Sequence, residues 1–329
     1  MDSTSSPLFS FVVPMYNVGK YAEQCIISIM NQTFPDFEAI LVDDGATDNT
    51  PIIIDEYVKK CPERLKALHK KNGGLVSARQ SGLEAASGRY IIPVDGDDWI
   101  DIHCLERFKE AIDKNDADIY CAGHILDFPD GKQIERKVRF KGVYFGKEWK
   151  DIVNNQLLYI NPNLWGKCYK SDFYRLYQNA IDPMIRMGED GVVTYPMYAT
   201  AKGVAFLDDC LYYYRQVDTS MVHSRHKNIK WEQAIWRIRH LYNSLEGLDN
   251  RTQWLVSYAT HAAFNSIVSI FQSKGYFKGK AEIAEILNDD FFYSLIAKQS
   301  PFLTKKEKYA NKLLKNKQYL LLWLVSKIN

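Results

Sequence analysis

The sequence lacks a hydrophobic run long enough to cross a membrane. A transmembrane helix needs about 20 consecutive apolar residues, whereas the longest candidate late in the chain, residues 319–325, has seven. The first six residues, Met-Asp-Ser-Thr-Ser-Ser, contain no basic region and no apolar stretch of signal-peptide length. These absences favour a soluble protein of the cytoplasm.

Paired cysteines are missing as well. The six cysteines of this 329-residue chain are far apart and form no C-x-x-C motif, which argues against a zinc or thiol redox centre built on such pairs. Several lie in apolar runs, where a free cysteine acts as a small hydrophobic side chain. We therefore expect a reduced protein with six free thiols: Cys25, Cys61, Cys104, Cys121, Cys168 and Cys210.

An excess of charge of one sign is also missing, since 42 Lys and Arg face 40 Asp and Glu, for a formal net charge of +2. This balance gives no reason to expect nucleic acid as a partner. The charge is unevenly distributed, however. Residues 303–329 carry seven Lys and one acid, Glu307, a local charge of +6 that leaves −4 for the rest. Such a segment indicates a separate tail function or a solvated face.

Strand and helix patterns alternate over the first 125 residues. Short apolar runs predict strands at residues 9–13, 37–42, 65–69, 90–94 and 118–126, and helical spacing predicts helices at 18–32, 47–60, 74–86 and 102–115. Such alternation is typical of an α/β fold whose parallel sheet is covered on both faces. In these sheets ligands bind at the carboxyl ends of the strands.

Polar residues collect at the predicted strand ends. Asn17, Asp43, Asp44 and Asn72 each follow a strand, and "VDGDDW", residues 94–99, places three carboxylates after the fourth. A single Asp-Gly after a strand is usually only a turn, because both residues favour turn conformations. Repetition of polar residues at several strand ends favours a ligand site instead.

Beyond residue 126 the pattern changes twice. Residues 127–225 mix loops, aromatic segments and a late strand at 204–214, which predicts an α+β continuation of the same domain. From residue 226 onward the spacing is helical, with long amphipathic segments at 231–245 and 254–271. We predict two regions, a catalytic or binding domain at 1–225 and a helical region at 226–329.

Five motifs in order resemble the inverting nucleotide-sugar glycosyltransferases of family 2, which have the Rossmann-like GT-A fold. They are "FVVPMYN", "LVDDGATDNT", "KKNGGLVSARQSGLEAASGRYIIPVDGDDW", "GKCYKSDF" and "GEDGVVTYPMY". The resemblance covers residues 8–225. It implies a transferase that moves a sugar from a nucleotide diphosphate donor, UDP-linked by expectation, to a glycan. Ala46 departs from the usual Ser of the second motif, so a hydroxyl contact is absent there.

The resemblance implies a set of donor-binding residues. The first loop would line the base pocket, Asp44 would accept a hydrogen bond from uracil, and Arg79 would contact the nucleotide. Two of these residues also have purely structural alternatives: Asp43 could make a loop contact, and Arg79 could be a charge on the surface of a helix. A planar guanidinium suits uracil or phosphate. The full donor set is Pro14, Tyr16, Asn17, Tyr21, Asp43, Asp44, Asn72, Arg79, Asp95, Gly96, Lys167 and Arg215.

A divalent metal, Mn²⁺ or Mg²⁺, is expected at the D-x-D of "VDGDDW". Hard cations prefer oxygen ligands and can neutralise a leaving diphosphate. The resemblance implies that Asp97 binds the metal directly, while Asp95 lies near the ribose or bridges through water. His223 is a further candidate ligand, although a lone histidine is more often structural. Asp98 has the alternative role of capping the next helix.

The base of the reaction is expected in "GEDG". Direct displacement with inversion needs a carboxylate that takes the acceptor hydroxyl's proton, and the resemblance implies Asp190 for this role, with Glu189 orienting the acceptor. Both residues also suit the first turn of a helix, where acids are favoured. Lys167 lies near donor or acceptor by the same resemblance, and Trp165 is expected on the acceptor side, stacked on a sugar face.

The predicted activity is therefore an inverting hexosyl- or N-acetylhexosaminyltransferase of capsular, exopolysaccharide or cell-surface glycan synthesis. The acceptor would be a glycan or a lipid-linked oligosaccharide. The alternative is a catalytically silent module that binds a glycan or a partner on the same fold. For the basic C-terminal segment and its apolar run at 319–325, three readings stay open: a packed final helix, a subunit contact in a homo-oligomer, or contact with the inner face of the cell membrane.

Overall fold

The computed structural model describes residues 6–186, 188–216 and 231–327. The chain divides into two compact units, Met1–Val217 and Asp218–Asn329. The boundary predicted at residues 225 and 226 lies outside the described residues. No helix in the described part of the chain is both long and apolar enough to span a bilayer.

The first unit is built on one ten-stranded sheet. Its main path has the order β3-β2-β1-β4-β9-β6-β10-β5, with β7 paired to β6 and β8 paired to β10. The strands are β1 (Phe9–Met15), β2 (Phe37–Asp43), β3 (Leu65–His69), β4 (Tyr90–Pro93), β5 (Trp99–Ile100), β6 (Ile119–Asp127), β7 (Gln133–Arg136), β8 (Gly142–Phe145), β9 (Lys167–Lys170) and β10 (Gly203–Arg215).

The sheet is mixed, which corrects the prediction of a parallel sheet. The four strands β3, β2, β1 and β4 are parallel, as expected from the alternation of strands and helices. Beyond them β9 enters antiparallel to both β4 and β6. This strand has only four residues and follows a long irregular segment, so no periodic pattern marked it. The late strand β10 then pairs parallel to β6.

The helices of the first unit flank this sheet. They are α1 (Ala22–Met30), α2 (Thr50–Lys60), α3 (Leu75–Ala85), α4 (Cys104–Lys114), α5 (Gly146–Gln156), α6 (Ser171–Gln178) and α7 (Glu189–Thr200), with a short 3₁₀ helix at Leu157–Tyr159. Pro51 lies in the first turn of α2, where a missing N–H costs nothing. The four helices expected before residue 125 are confirmed with shorter ends.

The core explains why the central strands read as continuous apolar runs. All seven residues of β1 and all seven of β2 are buried, because both strands have neighbours on each side and cover on each face. Five of the six cysteines are buried as well, and all six are free thiols, as predicted. They fill the core as small hydrophobic side chains.

The second unit is helical, as predicted. Its helices are α8 (Trp231–Ser244), α9 (Arg251–Ile286), α10 (Asp290–Ile296), α11 (Lys305–Lys315) and α12 (Tyr319–Ser326). The long α9 is interrupted at Gly275, whose φ of 70° and ψ of −175° are not helical. A capping box at Thr304 and Glu307 starts α11. Buried leucines of α11 and α12, among them Leu314 and Leu322, pack into the core of this unit.

Candidate active site

The strand ends at which the sequence predicts a ligand lie at one edge of the sheet, since β1, β2 and β4 are parallel neighbours. Pro14 lies near the end of β1, paired with Val42 of β2. Tyr16 follows and is 49% exposed. Segment 94–98 continues directly from β4 at the same edge. The topology therefore brings the first, second and fourth strand-end motifs together.

Asn17 connects the first two of these loops. Its backbone is left-handed, with φ 53°, a conformation that Asn tolerates better than most residues. Its side-chain oxygen accepts from the backbone N–H of Thr47, at 2.8 Å. Tyr21, at the start of α1, lies under the guanidinium of Arg215, with 4.9 Å between the guanidinium carbon and the ring centre. Asn17 and Tyr21 are both predicted to bind the donor, and their contacts with a nucleotide stay predictions.

Asp43 and Asp44 are buried and bonded to the protein itself. Asp43 accepts from the backbone N–H of Ala46 at 2.8 Å and contacts His69 at 3.0 Å, which raises the pKa of that histidine. Asp44 accepts from the backbone N–H groups of Gly73 and Gly74, at 2.9 and 2.7 Å. Both carboxylates hold strand-end loops in place.

Lys70 was missed by the sequence argument. Its ammonium group lies 2.8 Å from Asp44 and 3.1 Å from the Ser77 hydroxyl, so it neutralises the second strand-end carboxylate. Its place directly after β3, at the start of "KKNGG", was the available signal. Asn72 is exposed on this loop. The loop packs closely on Gly45, where φ is +73° and an added Cβ would lie 2.7 Å from the Asn72 nitrogen.

Arg79 joins the two halves of the candidate site. It lies on α3, is 1% exposed, and its two terminal nitrogens donate to three carboxylates. One nitrogen donates to Asp95 at 2.9 Å; the other donates to Asp190 at 2.9 Å and to Glu189 at 3.4 Å. The structure therefore excludes the alternative of an exposed helix-surface charge, and Arg79 links the D-x-D motif to the "GEDG" motif.

Glu189 and Asp190 form the first turn of α7, directly after Gly188, whose φ is 70°. An acid is favoured there because the helix dipole is positive at that end. Burial raises the pKa of Glu189 to about 7; the charge of Asp190 adds to this effect and Arg79 opposes it. The second oxygen of Asp190 accepts from the backbone N–H of Leu164, at 3.3 Å. The expected base is thus held rigidly and remains partly exposed.

Asp97 differs from its neighbours. No side chain among the described residues donates a hydrogen bond to its carboxylate, and burial together with the charge of Asp95 raises its pKa to about 6. A cation beside this carboxylate would offset both effects, and its oxygens are ligands that Mn²⁺ and Mg²⁺ accept. The donor set therefore fits a divalent metal. Within the described ranges no three His, Cys, Asp or Glu converge as a complete metal site, and the candidate ligand His223 lies outside them.

Asp98 has a structural role that differs from the predicted helix cap. Helix α4 begins after His103, and Asp98 is instead buried against β10. It accepts from the Tyr212 hydroxyl at 2.7 Å and from the backbone N–H of Arg215 at 2.8 Å. Burial and the charges of Asp97 and Asp95 raise its pKa well above the usual range. Tyr212, which sequence reasoning also missed, thereby fixes the acidic turn.

Arg215 and Gly96 complete this turn. Arg215 donates through Nε to the Asp97 carbonyl at 2.8 Å and through its terminal nitrogen to Gln24 at 2.7 Å. Gly96 has no space for a side chain, because an added Cβ would lie 2.9 Å from the Pro14 oxygen and 2.7 Å from Met15. The acidic turn is therefore packed tightly on the end of β1.

Trp165 and Lys167 lie deeper than expected. Trp165 is 7% exposed and stacks on Tyr212, with 4.5 Å between ring centres. Lys167 is 4% exposed and donates to the backbone oxygen of Asn163. Burial lowers the pKa of Lys167, against the attraction of Cys121 and Asp190. Both side chains line a cavity whose lining does not include Asp190. Their predicted contacts with substrate stay predictions.

Residues 10–178 match the family model described as glycosyl transferase family 2. Among curated proteins, the uncharacterized glycosyltransferase EpsJ of Bacillus subtilis is 32% identical over 67% of this chain and 64% of its own length. Glycosyltransferase GlyA of Streptococcus pneumoniae is 31% identical over 68% of this chain and 32% of its own length. The chain thus matches somewhat under two thirds of the first relative and about one third of the second.

The fold is also found among solved structures. The crystal structure of Staphylococcus aureus TarS 1-349 in complex with UDP-GlcNAc superposes with a TM-score of 0.72, at 20% sequence identity. The match covers 97% of this chain and 91% of the TarS chain. At this identity the likeness establishes the fold, which is the GT-A fold with a helical C-terminal region.

Proposed function

The chain belongs to glycosyl transferase family 2, and on that premise we propose that it transfers a sugar from a UDP-linked donor to a hydroxyl of a growing glycan, with inversion. The observation that carries the proposal is the Arg79 cluster. This buried arginine bonds Asp95 of the D-x-D motif and Asp190 of the first turn of α7, at 2.9 Å each. One guanidinium group therefore holds both Asp95, which we propose to lie beside the donor, and Asp190, which we propose to lie beside the acceptor.

In the proposed reaction Asp190 is the general base. Its carboxylate takes the proton of the acceptor hydroxyl as that oxygen bonds to the anomeric carbon of the sugar. The bond from that carbon to the diphosphate breaks at the same time, and the nucleoside diphosphate leaves. The helix N-terminus and the Leu164 N–H keep this carboxylate in place. Glu189, beside it, is proposed to orient the acceptor.

The metal is proposed at the acidic turn. Asp97 and Asp95 would hold Mn²⁺ or Mg²⁺, which when bound neutralises charge on the diphosphate. Among the described residues no other side chain donates to the Asp97 carboxylate, and its pKa is raised to about 6; both observations support this assignment. Asn17, Tyr21 and the loop held by Asp44 line the proposed uracil and ribose pocket. Because Asp44 already accepts two backbone N–H groups, its proposed contact with uracil would add to a role in holding the loop.

The TarS structure contains UDP-GlcNAc, and a UDP-linked hexose or N-acetylhexosamine is the proposed donor class here. The product would be a capsular, exopolysaccharide or other cell-surface glycan. The alternative, a catalytically silent binding module, is disfavoured because Asp95, Asp97 and Asp190 are all present and their loops are held by specific contacts.

The test is a donor panel. Purified protein is incubated with UDP- and GDP-linked sugars and Mn²⁺ or Mg²⁺, and release of the nucleoside diphosphate is measured with and without oligosaccharide acceptors. We expect metal-dependent release from one UDP-sugar, stimulated by an acceptor and abolished by EDTA. Binding of oligosaccharides without release from any donor would favour the silent module.

A further inference from the structure

A cavity of about 150 Å³ lies in the first unit; residues of segment 161–167 line it, and Asp190 is not among its lining residues. Its lining contains four cations and no Asp or Glu: Arg136, Lys137, Arg139 and Lys167. Aromatic side chains, Phe140, Tyr159 and Trp165 among them, supply much of the remaining wall. A cavity that combines cations with aromatic faces suits an anionic sugar derivative, because guanidinium groups bind phosphate and carboxylate while rings stack on sugars.

In the part of the chain that the structure describes, the cations at this cavity form no ion pair with a carboxylate. Within the described ranges no Asp or Glu lies within 4.0 Å of the charged atoms of Arg136, Lys137, Arg139 or Lys167. Lys167 is 4% exposed and, among the described residues, donates to the Asn163 carbonyl. Burial of this ammonium costs free energy, which the attraction of Asp190 offsets only in part because the pKa of Lys167 is still lowered. A bound anion would offset more of that cost.

Local structure keeps the cations at the cavity. The β6–β7 ladder pairs Arg136 with His124, which also lines the wall. The guanidinium of Arg139 lies over the Tyr159 ring, 4.3 Å from its centre. Burial and the charges of Lys167 and Arg136 lower the pKa of His124 to about 4, so this side chain is neutral at pH 7. Burial is the larger cause of this shift, and the charges of the two cations act in the same direction.

The cavity is joined to the proposed base through one short segment. The Leu164 N–H donates to Asp190 at 3.3 Å, and the next residue, Trp165, lines the cavity. On α7, two turns beyond Asp190, the Tyr198 hydroxyl donates to the Asn161 carbonyl and also lines the wall. Lys167 lies near enough to Asp190 to interact with it electrostatically. An acceptor held in the cavity would therefore be anchored one residue along the chain from Leu164, whose N–H holds the proposed base.

We propose that this cavity binds an anionic group of the acceptor, a phosphodiester or a uronic acid carboxylate, and so selects charged glycans over neutral ones. The proposal rests on the glycosyltransferase function proposed above. Arg136 and Arg139 form the exposed entrance, Lys167 the buried end, and the aromatic side chains contact the sugar next to the charge. This assigns the acceptor a chemical class that the nucleotide-binding motifs do not specify.

The test is a binding measurement made without donor. Three short oligosaccharides of equal length are titrated by calorimetry: one with a phosphodiester, one with uronic acid carboxylates, and one neutral. We expect an anionic probe to bind at least tenfold more tightly than the neutral one, and to weaken as salt is raised. The stronger of the two anionic probes identifies the source of the charge. Equal affinity for all three, or binding of none, would overturn the proposal.

Matched variants separate the cavity from the overall charge. Arg136→Gln with Arg139→Gln should remove the preference for the anionic probe. Lys132→Gln with Lys141→Gln removes the same charge from the same exposed segment but not from the cavity lining, and should keep the preference. Equal loss in both double variants would overturn the proposal.

The two proposals fail in different ways. With an anionic acceptor and the UDP-sugar found in the donor panel, the Arg136→Gln/Arg139→Gln variant should raise the acceptor KM at least tenfold and leave kcat within twofold. An unchanged acceptor KM would contradict the cavity assignment. If the wild-type protein prefers the anionic probe but releases no nucleoside diphosphate from any donor, the transferase function fails while the anion site stands.

Discussion

Arg79 is the residue on which the buried acidic cluster depends. Burial raises the pKa of Asp95 and of Glu189, and the Arg79 charge opposes both shifts. A carboxyl whose pKa is raised by folding costs stability above its unfolded value of about 4. We therefore expect Arg79→Met to lower the free energy of unfolding by about 3–5 kcal/mol near pH 8, the usual cost of breaking a buried ion pair.

The sign of the pH dependence distinguishes this effect from lost packing. As the pH falls from 8 towards 4 the carboxyls of the variant take up protons, so its deficit relative to wild type should shrink. Urea unfolding at several pH values measures this. Arg107→Met is the control, because Arg107 forms exposed ion pairs on α4 and should change little. A deficit that stays constant with pH would contradict the electrostatic account.

Asp97 and Asp98 are adjacent carboxylates with different predicted roles. Asp97→Asn should abolish metal-dependent donor turnover and leave the protein as stable as wild type or slightly more stable at pH 8, since folding raises the pKa of that carboxyl to about 6. Asp98→Asn places an amide against the Tyr212 hydroxyl and the Arg215 N–H, and should cost about 1–3 kcal/mol. Thermal unfolding and UDP release measure the two effects. Full activity of Asp97→Asn in the presence of a chelator would contradict the metal assignment.

For individual residues, the sequence indicated the motifs that contain the charged side chains but not which of these side chains contact each other. The motifs contained Arg79, Asp95 and Asp190, but the bond from Arg79 to Asp190 spans 111 positions and no local pattern specifies it. The same limit applies to Asp98, whose partners are 114 and 117 residues away. The sequence did not indicate that the Trp165 ring is buried and stacked on Tyr212, and its predicted contact with a sugar stays a prediction.

The loop after β3 is an element held by one side chain. The Asp44 carboxylate accepts from two successive backbone N–H groups, of Gly73 and Gly74, and contacts Lys70. An asparagine has one acceptor oxygen, so Asp44→Asn must lose at least one of these bonds. We expect faster hydrogen exchange at the Gly73 and Gly74 amides in the absence of UDP, with about tenfold weaker UDP binding.

Nuclear magnetic resonance and calorimetry measure the two effects of Asp44→Asn. Asp55→Asn, an exposed change on α2 that leaves the loop bonds intact, serves as the control. If exchange at both glycine amides stays at the wild-type rate while UDP binding is lost, Asp44 acts by contacting the base directly and the loop-holding account is wrong.

The elements themselves were predictable where apolar periodicity was strong. The bounds of β3, 65–69, match the prediction, and α2 and α3 differ from it by a few residues at their ends. The strands β5, β7, β8 and β9 were missed because they have two to four residues, too few for a period to be visible. All four pair antiparallel with their neighbours and make the sheet mixed, so its topology could not be derived from periodicity alone.

At the scale of the whole molecule, α12 is the helix that would attach the protein to a membrane or to a second subunit. Three leucines of this helix, Leu320, Leu321 and Leu324, are 55%, 40% and 45% exposed. They lie within residues 303–329, which carry seven lysines. If this face contacts an anionic membrane, one of the three readings that the sequence leaves open, the protein should co-sediment with anionic vesicles and far less with neutral ones. A triple Leu→Gln variant at these positions should lose the binding, because apolar burial and lysine attraction act together.

Point changes test α12 better than truncation, because Leu314 and Leu322 are buried and removal of the last helices would expose the core of the second unit. A control variant with Ile52→Gln and Leu176→Gln alters exposed apolar residues of the first unit and should sediment like wild type. Equal sedimentation of the wild type and the triple variant would contradict membrane contact. A lower oligomer mass of the triple variant would indicate a subunit contact in its place.

The central claim is that Asp190 is the base of the transfer reaction, and Asp190→Asn tests it most directly. The amide oxygen can still accept from Arg79, so the cluster keeps one of its bonds while the proton acceptor is lost. We predict that the variant binds UDP-sugar with an affinity within about twofold of wild type. With saturating UDP-sugar and acceptor, its transfer rate should be lower by about a hundredfold or more, the usual scale for loss of a general base. Transfer at the wild-type rate, or loss of UDP-sugar binding with normal transfer at saturation, would contradict the assignment.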